Sequence, residues 1–411
     1  MPRLLGLSPW PQTVSTYLPP LSRPQGAVWA LWSFGLVVAQ SCGLPPVAAM
    51  LAALLDRSEA RGRDPLRDWD REAAHKSGAK RGTKRRTLSV ATGFAPLLRW
   101  LVACSAPTCR HLALAMDAST LGPRFPLLVI RVVVGGGAIP VAWRVGEATR
   151  PGAWRPHWAA LLRPLDGRVP PPWPGRVLAD RGLSAPWLFT TLQSVGWPPF
   201  LRLNRQGPYR PQGAPTLRPL TQGISRIGPR WAGPVPGLAT AARHLPCTLL
   251  ARWAPGDREP WLVGTALPRM PADGAGYGLR PWIEGGGKDS KRGGGHGEQT
   301  KMLAPARAER RWLALAVATL WTVSGGGQAD ATRPRPDLTR LPERHSARQR
   351  ASQSRPSRSL SGFRRGRLML GAALCTAQAL PLGQGWSEPW PQRPTAHDDQ
   401  AEEPVQRSKA A

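Results

Sequence analysis

Between His111 and Leu203 the chain alternates short apolar runs rich in β-formers with helix-like runs, and this order most constrains the fold. Residues 112–116 are apolar and lead into Asp117, followed by Ser119 and Thr120. Residues 126–134, rich in Val, Leu and Ile, and residues 138–145 flank Gly135-Gly136-Gly137, which predicts three strands with a tight glycine turn between the last two. Residues 154–162 read as a helix, and after a proline-rich loop residues 176–179 form a fourth strand ending at Asp180-Arg181-Gly182. A helix over 185–194 and a strand over 199–203 complete the order βββαβαβ. Such alternation gives a mixed sheet flanked by helices, an α/β fold.

The segment before this core has a different character. Residues 26–44 are apolar over about the length of a bilayer span, but Gln40 and Ser41 interrupt them and Pro45-Pro46 follows. With residues 47–55 also helix-like and a mean hydropathy of −0.30, a buried helix of an amino-terminal domain is expected rather than a membrane segment. The first residues carry neither a cationic start nor a sustained apolar run, so no secretory leader is expected. A polar stretch over 56–87 ends in Lys76, Lys80, Arg81, Lys84, Arg85 and Arg86, either a solvated linker or an arm lying on phosphates. A short apolar helix over 95–103 closes a helical domain at residues 1–105.

Charge limits the partners. Lys and Arg number 56 against 25 Asp and Glu, a net charge of +31, which favours a polyanion over a neutral small molecule. The 47 Pro and 44 Gly accompany abundant Arg and Ala, as a GC-rich coding bias would produce, so part of the charge is compositional. Five cysteines with no CxxC pair predict neither a disulfide framework nor a zinc ribbon and agree with a reducing compartment. GxSxG, GxGxxG after a strand and GxxxxGK[ST] are all missing, and Gly285-Gly286-Gly287-Lys288 has Asp289 where a phosphate loop needs Ser or Thr.

The stretch that carries chemistry lies at 277–291. If it is helical, Tyr277, Arg280, Glu284, Lys288 and Lys291 recur at steps of 3, 4, 4 and 3 and share one face. One carboxylate among cations suits a metal ion held beside a phosphodiester. Tyr277, Arg280, Glu284 and Lys291 resemble the Tyr-Arg-Glu-Lys signature of bacterial insertion-sequence transposases of the insertion-sequence-four family, whose catalytic core is RNase H-like. The resemblance implies a DDE transposase, with Glu284 as its glutamate and two aspartates upstream. Asp117 and Asp180 stand where the element order places them, and Asp180-Arg181-Gly182 resembles the family's second-aspartate motif.

What the resemblance implies can be set out by region. The RNase H-like core would occupy 106–204 and 277–328, interrupted by a mostly β insertion over 205–276. Residues 248–253 and 261–267 fit strands of that insertion, while 205–240 give no clear element. Trp253 or Trp261 would either stack on an unpaired base or pack in the core. A helix over 304–323, with Arg307, Arg310 and Arg311 in its first turns, would pack on the sheet. A basic region over 329–411 follows, with a helix near 368–379 and a short acidic end.

Asp117, Asp180 and Glu284 would hold two Mg²⁺ ions, with Mn²⁺ substituting, and Tyr277, Arg280, Lys288 and Lys291 would hold DNA. The expected partners are double-stranded transposon ends and target DNA, bound by a homodimer in the bacterial cytoplasm near the nucleoid, with no membrane. Two other readings stay open: a transposase remnant that only binds DNA, and an arginine-rich RNA-binding protein. Binding is expected to be largely electrostatic, so log affinity should fall with log salt by about 0.9 per phosphate neutralised. Filter binding or anisotropy across a salt series checks this, and a flat dependence would exclude it.

Overall fold

The computed structural model describes residues 9–19, 21–76, 87–105, 111–135, 137–147, 154–171, 173–205, 207–209, 215–216, 218–222, 230–240, 243–253, 258–268, 274–291, 302–332, 361–376, 378 and 380. They form a mixed α/β protein of two compact units. The first takes its described residues from Met1–Pro174, Pro281–Arg340 and Pro356–Pro389, and the second from Gly175–Arg280.

The first unit opens with helices α1 (Pro9–Tyr17), α2 (Arg23–Ala39), α3 (Leu44–Leu55), α4 (Glu59–Trp69) and α5 (Phe94–Ala103). The apolar stretch over 26–44 is broken as its polar residues predict: Gln40 caps α2 in the left-handed region, and prolines occupy the first turn of α3. Among the described residues no single helix is long and apolar enough to cross a membrane, and α2 and α3 would qualify only as a pair bent by 95°. Trp29, Trp32 and Phe34 of α2 are fully buried. The basic residues 77–86 lie outside the described residues.

Strands β1 (Leu112–Leu121), β2 (Phe125–Val134) and β3 (Gly137–Val145) then pair antiparallel in sequence order, followed by α6 (Arg155–Leu162). The first strand carries Asp117, as expected, and extends beyond the apolar run 112–116. It continues through the β-favouring Thr120 to Leu121, so Asp117 sits in mid-strand opposite Val129.

The second unit holds β4 (Gly175–Ala179), α7 (Pro186–Ser194), β5 (Pro199–Arg202), β6 (Pro208–Tyr209), β7 (Arg218–Pro219), β8 (Arg230–Thr240), β9 (Arg243–Arg252) and β10 (Trp261–Thr265). Its seven described strands run in the order β4-β5-β10-β9-β8-β6-β7. Strands β4 and β5 are parallel and linked through α7, whereas β10, β9, β8, β6 and β7 pair antiparallel. Three strands fall in 205–240, where no clear element was expected. Proline and glycine hid β8, and its register shifts between Val235 and Leu238, the span that carries Pro236 and Gly237.

The chain then re-enters the first unit with α8 (Trp282–Lys291), α9 (Pro305–Thr332) and α10 (Gly362–Cys375). Helix α9 runs straight through Gly325-Gly326-Gly327, where the sequence predicted an end. A Cβ on Gly326 would stand 2.0 Å from the Gly362 carbonyl oxygen, and one on Gly366 would stand 1.7 Å from that of Thr322. The two helices therefore meet backbone to backbone, and packing replaces the helix propensity that the glycines lack. Helix α10 begins earlier than expected because Ser361 caps it, its Oγ accepting from the Arg364 N–H at 3.2 Å.

Helix α9 is also bolted to the amino-terminal helices by charge. Asp70 is fully buried, and its Oδ1 accepts from Arg307 Nε at 3.0 Å and Nη2 at 2.8 Å while its Oδ2 accepts from Arg311 Nη2 at 2.6 Å. Arg310 donates to the Asp70 carbonyl at 2.7 Å and the Leu88 carbonyl at 3.2 Å, and it pairs with Glu72. That guanidinium holds the Glu72 carboxyl below its usual range. Arg311 lies 5.1 Å from the Trp32 ring, Trp10 stacks on Trp321 at 4.2 Å, and Trp143 of β3 donates to the Glu309 carbonyl at 2.9 Å. The arginines of the first turns thus serve the core. Asp70→Asn is expected to cost about 3 kcal/mol, because it leaves the partly covered guanidinium groups of Arg307 and Arg311 without their buried anion. Denaturant unfolding measures the loss.

Candidate active site

The predicted site residues fall in both units. In the second, β4 delivers Asp180 at its carboxyl end, where an open α/β sheet presents ligand groups. Arg280 Nη2 donates to Asp180 Oδ2 at 3.1 Å, and the Tyr277 hydroxyl donates to the Ala179 carbonyl at 3.3 Å. Two motifs about a hundred positions apart therefore meet. Tyr277 is buried, its hydroxyl pushed up to about 12 by that burial, and Trp261 touches its ring edge-on at 5.5 Å. Beside them Glu259 bridges Arg181 and Arg202, the latter at 2.8 Å. Neither Glu259 nor Arg202 stood out in the sequence, since isolated charges near strand ends are common.

One expectation about the signature needs correction. Tyr277 lies in a 3-10 stretch, Gly274–Leu279, and α8 starts only at Trp282, so the five residues do not share one helical face. Pro281 is the cause: it lacks an N–H and disfavours helical geometry at Arg280 before it. Glu284 and Lys288, one turn apart and both exposed, do share a face of α8, and Lys291 ends the same helix.

In the first unit α8 packs on β3, β1 and β2. Each of the three glycines after Glu284 lowers helix propensity by about 1 kcal/mol relative to alanine, yet α8 continues through them. Gly286 explains this: a Cβ there would lie 2.6 Å from the Ala138 carbonyl oxygen, so only glycine lets the helix backbone sit so close to β3. Ser290 is fully buried, and its hydroxyl donates to the Gly286 carbonyl at 2.8 Å. Asp289 is buried against the start of α10, where Ser361 donates to it at 3.4 Å. Burial raises the Asp289 carboxyl to about 6, against the pull of Ser361, Arg364 and Arg367.

Beneath this helix lies a residue the sequence reading passed over. Arg131 is the one cation in the apolar run of β2, and that isolation was its signal. It is fully buried, and Asp117 lies on the adjoining strand, half-buried. Burial draws the Arg131 guanidinium down to about 10, with the Asp117 charge acting the other way.

Asp117, Asp180 and Glu284 are hard oxygen donors, the donor chemistry that Mg²⁺ takes. Among the described residues, however, no group of three or more His, Cys, Asp and Glu side chains stands ready to hold a metal ion. No known family's sequence model matches the chain, and no curated protein matches it.

The glycine geometry yields a sharp test. Gly285→Ala should stabilise by up to about 1 kcal/mol, since it gains helix propensity and its nearest neighbour, Trp282, is 3.9 Å away. Gly286→Ala should destabilise despite the same gain, because a strand backbone fills the space. Thermal melts of the two variants check the opposite signs.

Proposed function

We propose that the protein is a metal-dependent DNA transposase with an RNase H-like core. The observation that carries this reading is the meeting of Arg280 and Tyr277 with Asp180 and Ala179 at the end of β4. The signature and the second-aspartate motif, about a hundred positions apart in the chain, thus meet at one strand end. The three antiparallel strands of the first unit and the parallel β4-β5 pair of the second support the fold reading. Antiparallel β8, β9 and β10, lying between Asp180 and Glu284 in the chain, support the reading of an inserted β region.

In this reading Asp117, Asp180 and Glu284 would be the carboxylates that hold two Mg²⁺ ions, and the ions would supply activation of a water or 3′-hydroxyl and stabilisation of the leaving oxygen. The chain does the rest. Arg280 fixes the Asp180 carboxylate, and Tyr277 fixes the strand end that carries it, so Tyr277 acts from inside rather than on the phosphate. Lys288, exposed one turn beyond Glu284, meets a backbone phosphate beside that carboxylate, with Lys291 following on the same helix. The DNA is double-stranded, with inverted-repeat ends and a target, and a homodimer brings the two ends together.

A second reading, a remnant that binds DNA without cutting it, draws on the lack of a ready three-carboxylate group among the described residues and on the Arg280 pairing with Asp180. Incubating the full chain with DNA carrying its flanking inverted repeats and Mg²⁺ separates the two. Cleavage is expected, and Glu284→Gln should abolish it while leaving DNA affinity nearly unchanged, because the exposed amide keeps the shape and removes a metal ligand, whereas Asp180→Asn should abolish it and also release Arg280 from its ion pair. Tight binding without cleavage selects the remnant.

A further inference from the structure

Register places Arg131 opposite Ala115 and Asp117 opposite Val129, so Arg131 and Asp117 are diagonal neighbours on one face of the sheet. That separation is within reach of a long side chain. All three guanidinium nitrogens of Arg131 are buried without a hydrogen-bond partner among the described residues, and the residue is 0 % exposed. Its Nη1 lies 3.9 Å from where a Cβ on Gly287 would stand, so bare glycine backbone of α8 roofs it. The residues beside it in β2, Ile130 and Val132, are fully buried and apolar, as is Ala115 across the strand pair. A buried guanidinium in apolar surroundings costs several kcal/mol unless an anion answers it.

We propose that Arg131 is the positioning residue for Asp117, a buried counter-charge on the same face of the sheet that acts on the carboxylate through its field rather than through a hydrogen bond and competes with a divalent cation for it. The pairing itself rests on the strand register and on burial; its bearing on the metal rests on the transposase reading. Arg131 touches neither DNA nor metal, and it acts through Asp117. The glycine at 287 belongs to the same device, because it leaves the guanidinium room under the helix that carries Glu284.

A double-mutant cycle tests the pairing without any DNA. Asp117→Asn should lower the melting temperature of the full chain, since it strands the guanidinium, and adding Arg131→Met should recover at least half of that loss. Additive losses, or no loss in Asp117→Asn, would overturn the pairing. Mn²⁺ binding, followed by electron paramagnetic resonance, reads the second part. Arg131→Met should tighten it by about tenfold, as expected when a unit charge a few ångströms away is removed, and Arg131→Lys should stay near wild type. A residue that merely fills space would leave Mn²⁺ affinity unchanged in Arg131→Met, and that result would overturn the positioning role. If the wild-type chain binds no Mn²⁺, the transposase reading fails, and the stability cycle alone decides whether Arg131 and Asp117 are paired.

Discussion

A carboxylate taken out of water has to be answered by cations, and in this chain Asp70 sets that requirement for the first unit. Its two oxygens are met by Arg307 and Arg311, while Arg310 takes the neighbouring backbone and Glu72. Three arginines on successive turns of one helix thereby fix α9 against the amino-terminal helices. Helix α9 in turn meets β3 through Trp143 and α10 through glycine backbone, and α10 meets α8 at Asp289. The helix bearing Glu284 is thus set by a chain of contacts that begins at an ion cluster far from it in sequence.

The same accounting of charge recurs at the candidate site. Asp180 is held by Arg280, and the Asp117 charge acts on the buried Arg131. A strongly cationic chain has no shortage of arginine for the surface. Here it also spends arginine inside, where only a planar, always-charged group can serve several acceptors at once. Part of the +31 charge is therefore structural and does not face a polyanion.

The sheet elements from β1 to β5 were legible because β-branched runs, alternation and glycine turns all point the same way. The helices α2, α3 and α9 were legible from apolar runs, although their ends were not. Ends failed where tertiary contacts overrode propensity: α9 and α8 both cross glycine triplets because another backbone lies against them. The strands inside 205–240 were hidden because prolines and a bulge erase alternation. At the site, Asp180, Tyr277 and Arg280 were found from motif and spacing, and they do come together. The single helical face was misread because Pro281 outweighs periodicity. Arg131 was missed because one cation in an apolar strand reads as noise until its burial is known.

Helix α10 has a consequence for how the molecule is assembled. The first unit draws on both extremes of the described chain, from Pro9 to Cys375, whereas the described part of the second is the unbroken stretch Gly175–Arg280. A chain emerging from the ribosome amino end first offers all of the second unit's described strands before α8, α9 or α10 exist. The glycine-rich back half of α9 then has no partner until the Gly362–Gly366 surface follows it out. Vectorial synthesis therefore delivers every described strand of the second unit before the first unit is complete.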